Sequence, residues 1–298
     1  MIKLIKILRK LNLLDCFSLL KNIKINNTQI KIPLINGLGY DLLNAARREC
    51  WLDNIIQSAL KTKKGIFIDV GVNLGQTLLK VKSTQLNNNY IGFEPNSICS
   101  TYVKKLISVN NWHNCHIIPV GLANESSVLS LFMNNDIDPS ASIAQDFRDE
   151  TFYSSHTYVP VFQGDYLLSQ LGVNSISVIK IDVEGAELEV IQGLQNSIAK
   201  YNPYILCEVL PVYNSNTTQV NSRKRKQDLL ENLIKESGYK IYRIMHDGKL
   251  MAINTIGVHS DLSICEYIFV PEAHEANFFK SYLSNTTEYT NEYSVVTN

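Results

Sequence analysis

Five carboxylates stand where short apolar runs stop. Asp69 falls at the end of Ile66–Val70, Glu94 follows Tyr90–Phe93, and Asp182 follows Ser177–Ile181 with Glu184 two residues on; Glu208 follows Pro203–Cys207. An acid at a strand end can accept a ligand's hydroxyl protons, hold a cationic group or act as a base. Asp69 leads into Gly71 and Gly75. Gly71 allows a sharp turn and close approach of backbone to ligand, and Gly75 should let a helix pack near the strand. The turn lacks the third glycine of the dinucleotide fingerprint and the Lys-Ser/Thr of a P-loop. An acid at its mouth would repel a pyrophosphate and suits a ligand bearing an ammonium group.

Glu94 lies 25 positions after Asp69, the length of a strand–helix–strand passage. An acid there can accept both hydroxyls of a ribose. The two loops together point to S-adenosylmethionine rather than a nicotinamide cofactor. The plain alternative is a Rossmann-like domain whose loops bind nothing, since single Gly-rich turns are weak evidence.

The elements that must position these acids follow from periodicity. Strands at about 66–70, 90–93, 116–120, 159–162, 177–181, 203–207, 239–244 and 264–270 alternate with helical runs, which implies an α/β fold with a mainly parallel, doubly wound sheet. Val128–Met133 is a further strand candidate. Pro119 puts the third strand near an edge. Ser97 is expected to cap the helix after Glu94. Residues 134–158 read as a long polar loop carrying Ser140-Ala141-Ser142 and His156, and a loop of that length is commonly functional. Three segments result: an N-terminal helical extension over 1–60, a nucleotide-binding domain over 61–272, and a C-terminal helix or polar tail over 273–298. Within the extension, 26–40 reads as a short strand and turn and 40–60 as a helix.

The 298 residues carry no formal net charge, so nothing global calls for nucleic acid. Six scattered cysteines without a C-x-x-C pair argue against a zinc site or disulfide framework and for a reducing, cytoplasmic compartment. Residues 1–25 form a basic amphipathic helix, too charged to span a bilayer. It could lie on the inner face of a membrane, or pack on the domain or a second subunit. The basic run Arg223–Lys226 reads as a solvated helix face.

At this point the motifs carry a resemblance. Ile68-Asp69-Val70-Gly71-Val72-Asn73-Leu74-Gly75, Gly92-Phe93-Glu94-Pro95-Asn96 and Ile179-Lys180-Ile181-Asp182-Val183-Glu184-Gly185-Ala186-Glu187 resemble the FkbM family of S-adenosylmethionine-dependent methyltransferases over roughly 60–272. Val72 replaces the family's usual alanine. The resemblance implies a class I methyltransferase fold with seven strands, the last antiparallel, and O-methylation of a hydroxyl of a sugar, glycan or glycolipid. Asp69, Gly71, Val72, Asn73 and Gly75 would then line the methionine end of the cofactor. Glu94 would hold the ribose with help from Asn96. Asp182 and Glu184 are candidates for orienting the acceptor or taking its proton, and their plain alternative is helix capping. His156 is a second candidate base. Glu187 should face solvent or a basic partner. Asp182 and Glu184 alone lack a third ligand for Mg²⁺, so no metal is expected. A dinucleotide oxidoreductase and a non-catalytic binding module are the alternatives.

Overall fold

A computed structural model describes residues 19–35, 37–47, 50–144, 152–213 and 218–293. The proposed amphipathic helix lies outside these residues over 1–18, and its remaining part is strand. β1 (Leu19–Ile25) and β2 (Thr28–Leu34) form an antiparallel hairpin. Asn26, at φ 48°, makes the tight turn, a conformation asparagine tolerates well. Ile30, Ile32 and Leu34 alternate along β2 and are buried, and Tyr102 donates to the Pro33 carbonyl at 2.9 Å. Among the described residues, the segment expected to be a helical extension is hairpin first and helix second. A 3₁₀ turn at Asp41–Arg47 precedes α1 (Cys50–Thr62).

The domain then alternates as its hydrophobic pattern requires. The elements are β3 (Ile66–Val70), α2 (Gln76–Ser83), β4 (Tyr90–Phe93), α3 (Ser97–Val109) and β5 (Cys115–Ile118). After β6 (Gly121–Ala123), β7 (Ser127–Met133) and β8 (Ser155–Gln163) come α4 (Gly164–Gln170) and β9 (Ile176–Ile181). Next are α5 (Glu187–Gly193), α6 (Gln195–Tyr201), β10 (Tyr204–Glu208) and α7 (Thr218–Glu236). The chain closes with β11 (Tyr239–Ile244), β12 (Leu250–Ile253), β13 (Glu266–Pro271) and α8 (Glu275–Tyr293).

The main sheet runs β12-β11-β13-β10-β9-β3-β4-β5. β13 is antiparallel to both neighbours, as expected of the last strand. β12 extends the edge beyond the seven expected strands, antiparallel to β11. β6, β8 and β7 form a separate small sheet. β8 begins at Ser155, so the expected loop gives up its last residues to a strand that pairs along the whole of β7.

Alternate residues of β3 face two cores. Phe67 joins one with Tyr90, Val178 and Tyr204, under helices including α1 and α8. Ile68 and Val70 join the other with Phe93, Ile181 and Val190. Each fully buried aliphatic or aromatic side chain contributes about 1.5–3 kcal/mol. β4 leaves β3 on one side and β9 flanks it on the other, so the sheet reverses direction of growth at β3. The crevice outside the carboxyl end of such a strand is where open α/β sheets bind ligands.

Candidate active site

The strand register sets the site. Val70 pairs with Phe93 on one side and Ile181 on the other, and Ile181 pairs with Cys207. One residue further, Glu94, Gly71, Asp182 and Glu208 therefore stand in one row across four strand ends. Glu266, paired with Glu208, extends the row onto β13. All five line a cleft of about 280 Å³, together with Val72, Asn73, Asn96, Lys180 and Glu184.

Gly71 is the narrow point. Its φ is 86°, and a Cβ there would lie 1.8 Å from the Asp182 carbonyl oxygen. Only glycine combines that conformation with that approach. Asn73 follows at φ 49° and folds its side chain onto the Leu74 N–H at 2.7 Å. Gly75, at φ 94°, lets α2 approach α3: a Cβ would meet Leu106 and Val103. The close packing expected between helix and strand is thus between two helices.

Glu94 is buried at 7% exposure. Its Oε2 accepts the Asn73 N–H at 2.7 Å and its Oε1 the Asn96 N–H at 2.8 Å. Each oxygen keeps a lone pair, so the carboxylate can still receive two ligand hydroxyls. Burial pushes its pKa up to about 7, opposed by the two backbone donors. Asn96 has a different task from the one expected. Its Oδ1 caps α3 through the N–H groups of Ile98 and Cys99, and its Nδ2 donates to the Asp136 carbonyl. Asn96, not Ser97, is the cap.

Asp69 does not line the cleft. It is fully buried two rows back, where it accepts a hydrogen bond from the Tyr90 hydroxyl, and its Oδ1 has no hydrogen-bond partner. Burial raises its pKa to about 7, and the Lys180 ammonium opposes that rise. Its position in β3, side by side with Lys180, puts it under the cleft floor.

Lys180 is the residue that motif reasoning left without a role. It is 4% exposed and donates to Asp182 Oδ2 at 2.8 Å. Although burial disfavours its charge, Asp182, Glu266 and Asp69 hold its pKa above the ordinary lysine value. The signal was available: a lysine inside the otherwise apolar run Ile176–Ile181 needs a partner on its own face. Burial would raise the Asp182 pKa, but Lys180 and a hydrogen bond from Glu208 hold it low. Burial, then Asp182 and Glu266, push Glu208 up to about 10.

Glu184 sits in the turn beyond Asp182 at φ 53°, and its carbonyl accepts the Ser142 hydroxyl at 2.6 Å. That bond ties the 134–144 segment to the cleft. Asp138, which also lines the cleft, holds this segment by accepting from the Asn134 and Ser140 N–H groups. Glu187 is buried rather than facing solvent, because its Oε1 caps the Gly185 N–H at 2.7 Å. Burial raises its pKa to about 7. His156 is exposed on β8, packed between the rings of Phe132 and Tyr158, and is not among the residues lining the cleft.

Glu208 supplies the third carboxylate that the sequence did not assign: ligand oxygens of Asp182, Glu184 and Glu208 lie within 4.8 Å of one another. The Lys180 ammonium already compensates Asp182, and the raised pKa makes Glu208 a proton donor at neutral pH. The basic run is engaged at home, with Lys226 on Glu189 at 2.6 Å and Lys224 on Asp228. No helix among the described residues is long and apolar enough to cross a membrane.

The Methyltransferase FkbM domain family matches residues 69–241. Hexuronic acid methyltransferase AglP of Haloferax volcanii is 28% identical over 182 residues, 60% of this chain and 70% of that protein. Methyltransferase 1 of Beauveria bassiana is 20% identical over 164 residues, 50% of this chain and 66% of that one. Among solved structures, methyltransferase FkbM of Methylobacillus flagellatus matches at 13% identity and TM-score 0.44. That match covers 69% of this chain, which spans 43% of the Methylobacillus chain.

Proposed function

The chain belongs to the FkbM methyltransferase family, whose cofactor is S-adenosylmethionine, and from that premise we propose that it methylates a hydroxyl of a sugar, glycan or glycolipid. The observation that carries this reading is the row across the strand ends. Glu94 stands on one side of Gly71 and Asp182 on the other, with Glu184 in the turn beyond. The left-handed turn through Gly71 and Asn73 packs Gly71 against the Asp182 carbonyl and brings the turn's backbone to the edge of the cleft. When bound, S-adenosylmethionine supplies a methyl group on a cationic sulfur. Glu94 accepts the ribose hydroxyls. The Gly71–Gly75 turn supports the methionine portion. Asp182 and Glu184 orient the acceptor hydroxyl and receive its proton, which is acidic once the oxygen carries the methyl, so even a weak carboxylate base suffices. The name of the Haloferax relative favours a saccharide acceptor, and a cleft end rich in hydrogen-bonding carboxyls suits a polyhydroxylated molecule.

Calorimetric titrations with S-adenosylhomocysteine and with NADH test the cofactor reading; binding of NADH alone overturns it in favour of an oxidoreductase. Mass spectrometry of glycans from cells with and without the gene tests the acceptor. The expected difference is one methyl group on a saccharide. A methyl difference confined to other molecules overturns the saccharide assignment.

A further inference from the structure

Two carboxyls at the acceptor end stand side by side, and Lys180 bonds one of them. Asp182 and Glu208 are neighbours in the row across β9 and β10, and both line the cleft. Lys180, two residues before Asp182 on the same face, bonds Asp182. Glu208 is flanked by Glu266 on the opposite strand. The groups facing Glu208 are Lys180 in β9 and Asp182 just after it, Glu184 from the turn beyond, Cys265 just before β13 and Glu266 at its start.

We propose that Glu208 is a positioning residue that stays protonated and donates its hydrogen bond to Asp182, so that Asp182 alone is the anion facing the acceptor. The proposal rests on the methyltransferase reading above for its use, and on the geometry of the pair for its existence. Two like charges in contact cannot both be kept in a half-buried site. The proton goes to the member without the cation. Burial and the neighbouring acids hold Glu208 up to about 10, and Lys180 helps to hold Asp182 low. The Glu208 hydroxyl then occupies one face of Asp182 and Lys180 another. A free lone pair of Asp182 remains for the acceptor's O–H, and the half-exposed edge of Asp182, 35% accessible, gives the proton a route to water.

Infrared titration of the full chain reads this directly, because a protonated carboxyl has its own C=O stretch. At about pH 9 the carboxyls of Asp69, Glu94 and Glu187, held near 7, are ionised, whereas Glu208 is still about 90% protonated. One band should therefore persist at about pH 9 and titrate near 10. Glu208→Gln should abolish it, Asp182→Asn should lower its titration midpoint, and Glu187→Gln should leave it in place. No band at that pH in the wild type, or a band that survives Glu208→Gln, overturns the proposal. The wild-type titration and Asp182→Asn decide the matter even if Glu208→Gln does not fold. Titration of each preparation with S-adenosylhomocysteine separates the two readings. Failure of the wild type to bind it counts against the methyltransferase reading alone, and a missing band with binding intact counts against the proton pair alone.

Discussion

Glu94 offers the sharpest test of the cofactor end. Its carboxylate already accepts two backbone N–H groups, from Asn73 and Asn96, and is proposed to accept two ribose hydroxyls besides. Glu94→Gln puts an amide NH₂ where one oxygen stood, so a donor faces a buried donor. That mismatch costs about 1–3 kcal/mol of stability. The ribose bonds lose their charge assistance, at about 1.5–3 kcal/mol each. Loss of even one weakens binding by about tenfold or more. The pKa near 7 adds a second signature. Ribose hydroxyls favour the ionised carboxylate, so affinity should rise with pH up to about 7 and level off above it. One unit below 7 only about a tenth of Glu94 is ionised, so affinity there should be down by as much as tenfold. Calorimetry with S-adenosylhomocysteine between about pH 5.5 and 8 measures both effects. The slope should vanish in Glu94→Gln. A folded variant with wild-type affinity, or a wild type with pH-independent affinity, would refute the ribose role.

At the acceptor end, Glu184→Gln should lower turnover by roughly 10²–10⁴-fold if Glu184 is the base, with affinity for S-adenosylhomocysteine unchanged. Turnover near wild type with a small loss of melting temperature would assign Glu184 to helix capping instead. Gly71→Ala drives a Cβ into the Asp182 carbonyl at 1.8 Å, so it should lose cofactor binding or folding; a folded variant that binds normally would mean the turn is not the cofactor cradle. His156→Ala should leave turnover within about threefold of wild type, a small effect on the energy scale where tenfold is about 1.4 kcal/mol, and a loss of about a hundredfold would restore His156 as a base. Asp69, Glu94 and Glu187 have folded pKa values raised to about 7. An acid raised on folding binds its proton more tightly in the fold, so its stabilising share is whole below about pH 4 and is lost as pH rises to 7. Asp138 and Asp182, held low, act in the opposite sense at more acidic pH. The melting temperature without cofactor should therefore be lower at about pH 8 than at about pH 5; the reverse order would show that these acids are solvated.

The sequence by itself determined what depends on neighbours along the chain. The strand ends at Val70, Phe93 and Ile181 follow from short apolar runs, and Gly71 and Gly75 from turns that demand left-handed backbone. The spacing of Asp69, Glu94 and Asp182 along a βαβ alternation was enough to bring the motif loops to one end of the sheet. Local signals failed where two choices were chemically alike or an element was short. Asn96 and Ser97 are both good caps, and only the backbone path made Asn96 the one. β12 has four residues and β6 three, too few for a periodic pattern. Glu187 looked like a surface charge until its reach to the Gly185 N–H buried it. Partnership between strands was decided by tertiary structure alone. Nothing along the chain says that Lys180 stands beside Asp69, that Glu208 shares a row with Asp182, or that His156 pairs with Phe132 of β7. Register brings residues tens of positions apart into contact, and burial then fixes their charge.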